Sequence, residues 1–219
     1  ELSLSQIRER YYSFLAEGVA FFPPPSLTKQ TTHLISNQLE RIHSCSLCPL
    51  SQTRKRVVSE LSTETKKYFF LCGFPSKIEE SEDSVYSYQA KTKVILNLVE
   101  KLEISPFSYF SFCQKCVPDK SPPEKYTNLC VINNLSLELK EISPEYIFAF
   151  GPRAHMALGL LAHYFNGEIK LSPQEESYTL TMFDKSFEVF LFPSEGELEE
   201  YPQWRHGVWA SLKHFKTKK

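Results

Sequence analysis

The stretch EYIFAFGPRAHMALGLLAHYF, Glu145 to Phe165, holds the pattern on which the fold turns. EYIFAFG is a short apolar run that stops at Gly151. A run of that length bounded by a turn residue reads as a buried strand. Pro152 follows at once, and proline suits the first turn of a helix because its missing N–H would have no partner there. PRAHMALGLLAHYF then reads as that helix. A strand feeding a helix through a glycine is half of a βαβ unit.

The same grammar repeats on either side. KYFFLCG (Lys67 to Gly73) reads as a second buried strand and FPSKIEESEDS as the loop after it. Val94, Ile95, Leu98, Val99 and Leu102 recur at helical spacing. PFSYFSFC (Pro106 to Cys113) reads as a strand. QKCVPDKSPPE carries three prolines too close together for regular structure. Leu129, Ile132, Leu135 and Leu139 mark another helix. YTLTMF and SFEVFLF flank Asp184-Lys185 as a hairpin, and Trp204, Val208, Trp209, Leu212 and Phe215 mark a last helix. Toward the N-terminus, Ser3-x-x-Gln6 has the form of a capping box ahead of Ile7, Tyr11, Phe14 and Leu15. Pro23 to Pro25 end that helix, and Leu34, Ile35, Leu39 and Ile42 define the next. Alternating strands and helices imply a mainly parallel sheet covered on both faces, an α/β/α sandwich. With no internal repeat or linker, residues 1–219 read as one domain, with 1–44 as N-terminal helices packing on the core. Ligands of such sheets gather at the carboxyl ends of the strands, here Gly73, Cys113, Gly151 and Phe192.

Composition excludes some classes of function. The net charge is −1, so no global field draws the chain to nucleic acid or anionic lipid. No apolar run approaches the ~20 residues that span a bilayer. ELSLSQIRERYYSFL carries charges inside its apolar pattern and does not read as a secretory signal. The expectation is a cytoplasmic monomer without a membrane partner. In that setting six cysteines read as metal ligands, catalytic groups or buried thiols rather than disulfides.

Their spacing is informative. Cys45 and Cys48 form one Cys-x-x-Cys pair, ahead of Arg54-Lys55-Arg56. Cys113 and Cys116 form a second. Cys130 lies early in a helix, and Cys72 ends a strand, where a buried thiol is the plainer reading. Two such pairs suggest a tetrathiolate site, for zinc or an iron–sulfur cluster. Spacing alone would group Cys45, Cys48, Cys113 and Cys116 and leaves the metal open.

The order of these motifs resembles the iron–sulfur uracil-DNA glycosylases, family 4 of that superfamily. CSLCPLSQTRKRVV is similar to the family's opening Cys-x-x-Cys and Arg-bearing segment. QKCVPDKSPPE is similar to its Lys-Cys-Arg-Pro-Pro stretch, and NLCVINNL to the helix bearing the last ligand. EISPEYIFAFGPRAHMALGL resembles its strand-Gly-x-x-Ala segment, and LFPSEGELEEYPQWRHGVWASL lies where the family has His-Pro-Ser and then a Trp-x-x-Leu helix. The likeness covers roughly Ile42 to Phe215. It implies a [4Fe–4S] cluster on Cys45, Cys48, Cys116 and Cys130, with Cys113 only a neighbour. It also implies that this cluster is structural.

The implied catalytic positions are altered. The family's Gly-Glu-Ala-Pro-Gly becomes Cys72-Gly73-Phe74-Pro75-Ser76, which puts Gly73 in place of the carboxylate. The uracil-reading Asn falls on Phe112 and the His of His-Pro-Ser on Phe192. Tyr86 lies near the position of the stacking Phe. Loss of a positioned base or donor costs ~10²–10⁴ in rate each. The expectation is therefore a cluster-bearing, glycosylase-like protein without normal uracil excision, which binds DNA or a repair or replication protein. One alternative is a glycosylase of altered specificity using Glu79 or Glu80 and a pocket of Phe74, Tyr86, Phe112 and Phe192. Another is a protein-interaction module whose mouth is acidic through EGELEE and EESED. Arg54, Lys55, Arg56, Ser194 and His206 are candidate nucleic-acid contacts, with Lys213, Lys216, Lys218 and Lys219 behind them.

Overall fold

A computed structural model describes residues 39–60, 62, 64–82, 84–118, 123–171 and 177–215. The first expected helix, the part of the second before Leu39, the lysines at 216, 218 and 219, and Asp83 lie outside them. Within them run α1 (Glu40–His43), α2 (Leu50–Thr53), β1 (Tyr68–Cys72), α3 (Lys77–Glu82), α4 (Lys93–Leu102) and β2 (Ser108–Phe112). A long helical stretch follows as α5 (Glu124–Cys130), a π-turn (Val131–Leu135) and α6 (Ser136–Ile142). The chain continues through β3 (Tyr146–Phe150), α7 (Gly151–Tyr164), β4 (Glu168–Leu171), β5 (Ser177–Met182), β6 (Lys185–Phe192), α8 (Glu195–Glu200) and α9 (Trp204–Leu212).

The sheet order is β2-β1-β3-β6-β5-β4. The first four strands are mutually parallel, and β5 and β4 add an antiparallel edge. Because side chains alternate along a strand, each central strand feeds two cores. Phe69, Leu71, Ile147, Ala149, Val189 and Leu191 meet α1, α7 and the long helix on one face. Phe70, Cys72, Phe148, Phe150, Phe190 and Phe192 meet α4, α8 and α9 on the other. Burial on both faces is why these strands read as continuous apolar runs. The architecture is the three-layer α/β/α sandwich expected from the sequence.

Three local readings change. IEESE is not loop but the helix α3, where Glu79 accepts hydrogen bonds from the Ser76 amide at 2.7 Å and its hydroxyl at 2.5 Å. The hairpin turns one residue earlier than expected, at Phe183-Asp184, both at positive φ as a two-residue turn of this hand requires. Bulky Phe183 accepts that backbone because its ring packs edge-on against Phe165, 4.7 Å away. The strand β4 was not expected at all, since its mostly exposed EIKL lacks a strong apolar pattern.

The junction of β3 and α7 fixes the rear of the site. Gly151 has φ +80°, and a Cβ there would sit 2.7 Å from Cβ of Ser194. Four residues on, buried His155 donates from Nε2 to the Ala149 carbonyl at 3.1 Å. Burial holds its imidazole down to about 4.

Two predictions follow from this junction. Gly151→Ala combines backbone strain with a clash and should lower unfolding free energy by at least ~2 kcal/mol in urea titration; an unchanged midpoint would contradict it. A depressed folded pKa for His155 means that the unfolded chain takes the proton first. Its contribution is whole above the unfolded value of ~6.5 and is lost as pH falls toward 4, ~3 kcal/mol in all. The urea midpoint should drop between neutral pH and pH ~4.5, and His155→Leu should flatten that slope.

Candidate functional site: a four-cysteine cavity and the carboxyl ends of the sheet

Four cysteines from three separate segments line one small cavity: Cys45, Cys48, Cys116 and Cys130. Cys45 lies just past the end of α1. Cys48 precedes Pro49, and its carbonyl accepts from the Ser51 amide at 3.0 Å and hydroxyl at 2.8 Å. Cys116 follows β2 in a turn braced by Gln114, whose Nε2 donates to the Cys116 carbonyl at 2.8 Å and whose Oε1 accepts from Thr127 at 3.1 Å. Cys130 closes α5. Cys113 is not part of this lining; its thiol donates to the Arg153 carbonyl at 3.7 Å. The tertiary fold thus groups Cys130, not Cys113, with the others.

N–H groups are directed at the sulfurs. Asn134 Nδ2 lies 3.4 Å from Sγ of Cys130 and 3.6 Å from Sγ of Cys45. The Lys115 amide lies 3.4 Å from Cys130, and Arg54 Nη1 lies 3.4 Å from Cys116. Burial pushes the Cys130 thiol up to about 12 and raises Cys116, which Arg54 pulls back in part. Metal uptake by these two would therefore release protons. Soft thiols ringed by N–H donors match thiolate-ligated zinc or iron–sulfur centres in donor type rather than hard cations. The free space between them is about 10 Å³, roughly one water. Among the described residues no three His, Cys, Asp or Glu side chains are grouped so that they could hold a metal ion.

Beneath the cavity lies a buried ion pair that sequence reasoning missed. Lys115 Nζ and Glu138 Oε2 are 2.5 Å apart, with side chains 1% and 0% exposed. Glu138 also accepts from the hydroxyls of Ser59, Tyr109 and Ser111 at 2.9, 3.2 and 2.6 Å. One carboxylate joins the segment before β1, strand β2, the Cys116 turn and α6. Nothing local in ELK or QKC signals this, because the partners lie 23 residues apart.

The carboxyl ends of the strands form the second half of the site. Gly73 is covered by Arg153, whose Cδ would lie 3.2 Å from a Cβ there. The Arg153 guanidinium stands 5.1 Å over the ring of Phe74, which is 36% exposed. Phe112 and Phe192 are buried in the aromatic core, with Phe192 5.3 Å from Phe150. Tyr86 is also buried, packed on Phe110 and Phe112, and its hydroxyl donates to the carbonyls of Phe70 and Ser111 at 3.1 and 3.2 Å. The four aromatics considered as a pocket are thus not one: three are core, and only Phe74 faces solvent.

The acidic stretches are largely engaged. Thr92 donates to Glu79 at 2.7 Å, and the Lys55 amide to Glu80 at 3.0 Å. Ser194 N-caps α8 in a reciprocal capping box with Glu197. Glu199 pairs with Lys93 at 2.8 Å. Glu195 differs. Its Oε2 is buried without a hydrogen-bond partner among the described residues, beside Cys72 and Glu79. Burial, then the Glu79 charge, raises its pKa. A Glu following Pro-Ser gave no sign of inward placement, because it lies in an acidic run that reads as surface.

The basic candidates divide. Arg54 donates to the Cys45 carbonyl at 2.5 Å as well as to Cys116. Arg56 reaches the carbonyls of Glu80 and Glu79 at 2.5 and 2.6 Å. Both are structural here, whereas Lys55, His206 and Lys213 are exposed. None of the described helices is long and apolar enough to cross a membrane.

The chain matches no known family model and no curated protein.

Removing Lys115 alone would strand a buried charge. Lys115→Met should cost ~3–5 kcal/mol, whereas the double change Lys115→Met, Glu138→Leu should recover most of it. Urea unfolding of the three proteins checks this; equal losses in single and double variants would deny the coupling.

Proposed function

We propose that this chain is an iron–sulfur protein of uracil-DNA glycosylase type that has lost normal uracil excision and acts by binding, on DNA or on a repair or replication protein. Cys45, Cys48, Cys116 and Cys130 hold the [4Fe–4S] cluster in this reading, with zinc as the other metal the same thiolates would take. The observation that supports it is the gathering of these four thiols around one cavity, with N–H donors on the sulfurs of Cys45, Cys116 and Cys130. The cluster's work would be mechanical. It would clamp the segment before α2 and the Cys116 turn onto the end of α5, much as a structural metal staples a small fold.

The loss of excision rests on the strand ends. Gly73 offers no carboxylate, and the rings of Phe112 and Phe192 lie inside the core. An amide and an imidazole there could read a base edge and stabilise a leaving anion, but phenyl rings do neither. What this end of the sheet presents to solvent is the Phe74 ring under the Arg153 guanidinium. A flat aromatic–cation surface suits stacking against an unpaired base.

One observation favours a second reading, a glycosylase of altered specificity. Glu195 lies at the same strand ends, beside Cys72, with its Oε2 lacking a hydrogen-bond partner among the described residues, where a water-orienting base would be needed. Glu79 and Glu80 suit that role less, since both are spent on hydrogen bonds within the fold.

Protein purified without oxygen should be brown, with broad visible absorption and matching iron and acid-labile sulfide. Cys130→Ser should lose both; a colourless zinc protein would overturn the cluster assignment. The same preparation, given labelled DNA with one uracil, should leave it intact. Abasic product that vanishes in Glu195→Gln would decide for the second reading.

A further inference from the structure

The two edges of the sheet end differently. On the β2 side the edge is covered: the Phe110 amide donates to Oε2 of Glu60 at 3.3 Å, and four of the five residues of the strand are buried. On the other side β4 is the last strand among the described residues, and three of its four residues are exposed. The strand is firmly seated all the same. All of it pairs with β5, from Glu168 against Thr181 to Leu171 against Tyr178, and Ile169 packs on the core. The Gly167 amide donates to the Ala162 carbonyl at 2.7 Å, which ties the start of β4 to the end of α7. The last strand of a sheet turns N–H and C=O groups outward, and a fixed edge of this kind is a template for another strand.

Charge decides which strand fits. Glu168 and Lys170 lie on one face and pair at 3.1 Å, both well exposed. Such a surface pair contributes little by itself and leaves both groups free to take a further partner. A two-fold antiparallel pairing of β4 with itself must be centred on a residue, because directly opposed residues share one hydrogen-bonding class and that class alternates along the strand. Centring on Glu168 or on Lys170 sets like charges opposite each other, which is destabilising. Centring on Ile169 sets Glu168 opposite Lys170 of the second copy, and Lys170 opposite its Glu168. Leu171, 58% exposed, then falls opposite Gly167 of the second copy, where no side chain obstructs it, and diagonal to its Ile169.

We propose that β4 is a self-pairing edge: two copies of this chain join their sheets through antiparallel β4 strands centred on Ile169 and held in register by two reciprocal Glu168–Lys170 pairs. The partner is a second copy of this chain, where the sequence alone led to the expectation of a monomer. The inference goes beyond the cluster reading and does not depend on it. Strands this short bury less than the ~1,200 Å² of a firm interface, so the dimer is weak and forms as concentration rises.

Sedimentation velocity over a micromolar-to-millimolar series should show a monomer–dimer equilibrium that weakens with salt. Glu168→Lys and Lys170→Glu each set like charges opposite one another twice and should weaken self-association by about tenfold or more. Mixing the two single variants should restore a dimer, and so should the double exchange Glu168→Lys, Lys170→Glu. Both sites are exposed, and unchanged urea midpoints would show that the variants fold as the parent does. Amide hydrogen exchange across β4 should slow as the dimer forms. A chain that stays monomeric up to millimolar concentration would overturn the proposal, and β4 amides protected in that monomer would mean that another part of the chain covers the edge. A dimer indifferent to the charge variants would put the interface on another face and overturn it equally.

Discussion

The buried pair of Lys115 and Glu138 is the contact on which the rest of this structure depends. Two charges removed from water carry a desolvation cost of several kcal/mol each, and only close geometry with further hydrogen bonds offsets it. Here three hydroxyls complete the shell of Glu138. The pair therefore tolerates few alternatives in how β2, the Cys116 turn and α6 lie together. Because the Lys115 amide and the neighbouring Cys116 belong to that turn, its position also sets where two of the four thiols point. The electrostatics agree, since the Lys115 charge eases the penalty of burial at Cys113 and Cys130.

The two halves of the candidate site have opposite characters. Around the four thiols, N–H donors converge on the sulfurs of Cys45, Cys116 and Cys130. At the strand ends, aromatic rings extend the core outward. Phe192 packs on Phe148 and Phe150, Phe112 packs on Tyr86, and burial of rings of this size contributes on the order of 2–3 kcal/mol each. The fold is firmer at the place where an excision enzyme would need polar groups and space. Glu195 is the exception, a carboxylate held inward by the cap of α8 with burial favouring its neutral form.

Charge is likewise spent inside the molecule. Arg54 and Arg56 run alongside the Cys pair in sequence and look like a phosphate-binding patch. Arg54 instead satisfies the Cys116 sulfur and the Cys45 carbonyl, and Arg56 the carbonyls of Glu79 and Glu80. The acidic run of α8 is consumed by a capping box, an ion pair and burial. Exposed charges remain, but the dense clusters in the sequence overstate the field at the surface.

The sequence by itself determined the layered α/β fold, because apolar runs of strand length alternate with helically spaced segments and Gly151-Pro152 fixes one junction. It also picked out Cys45 and Cys48 as a local pair, since a two-residue spacer is a property of the chain alone. It placed the hairpin turn one residue late and passed over β4, an edge strand whose exposure erases the periodic signal. Only the tertiary structure decided which cysteines share a cavity, as spacing favours Cys113 while the path of the long helix brings Cys130. It alone turned Tyr86, Phe112 and Phe192 into core and Glu195 inward. Those outcomes depend on contacts between residues tens of positions apart, and such contacts leave no mark in any local window of the chain.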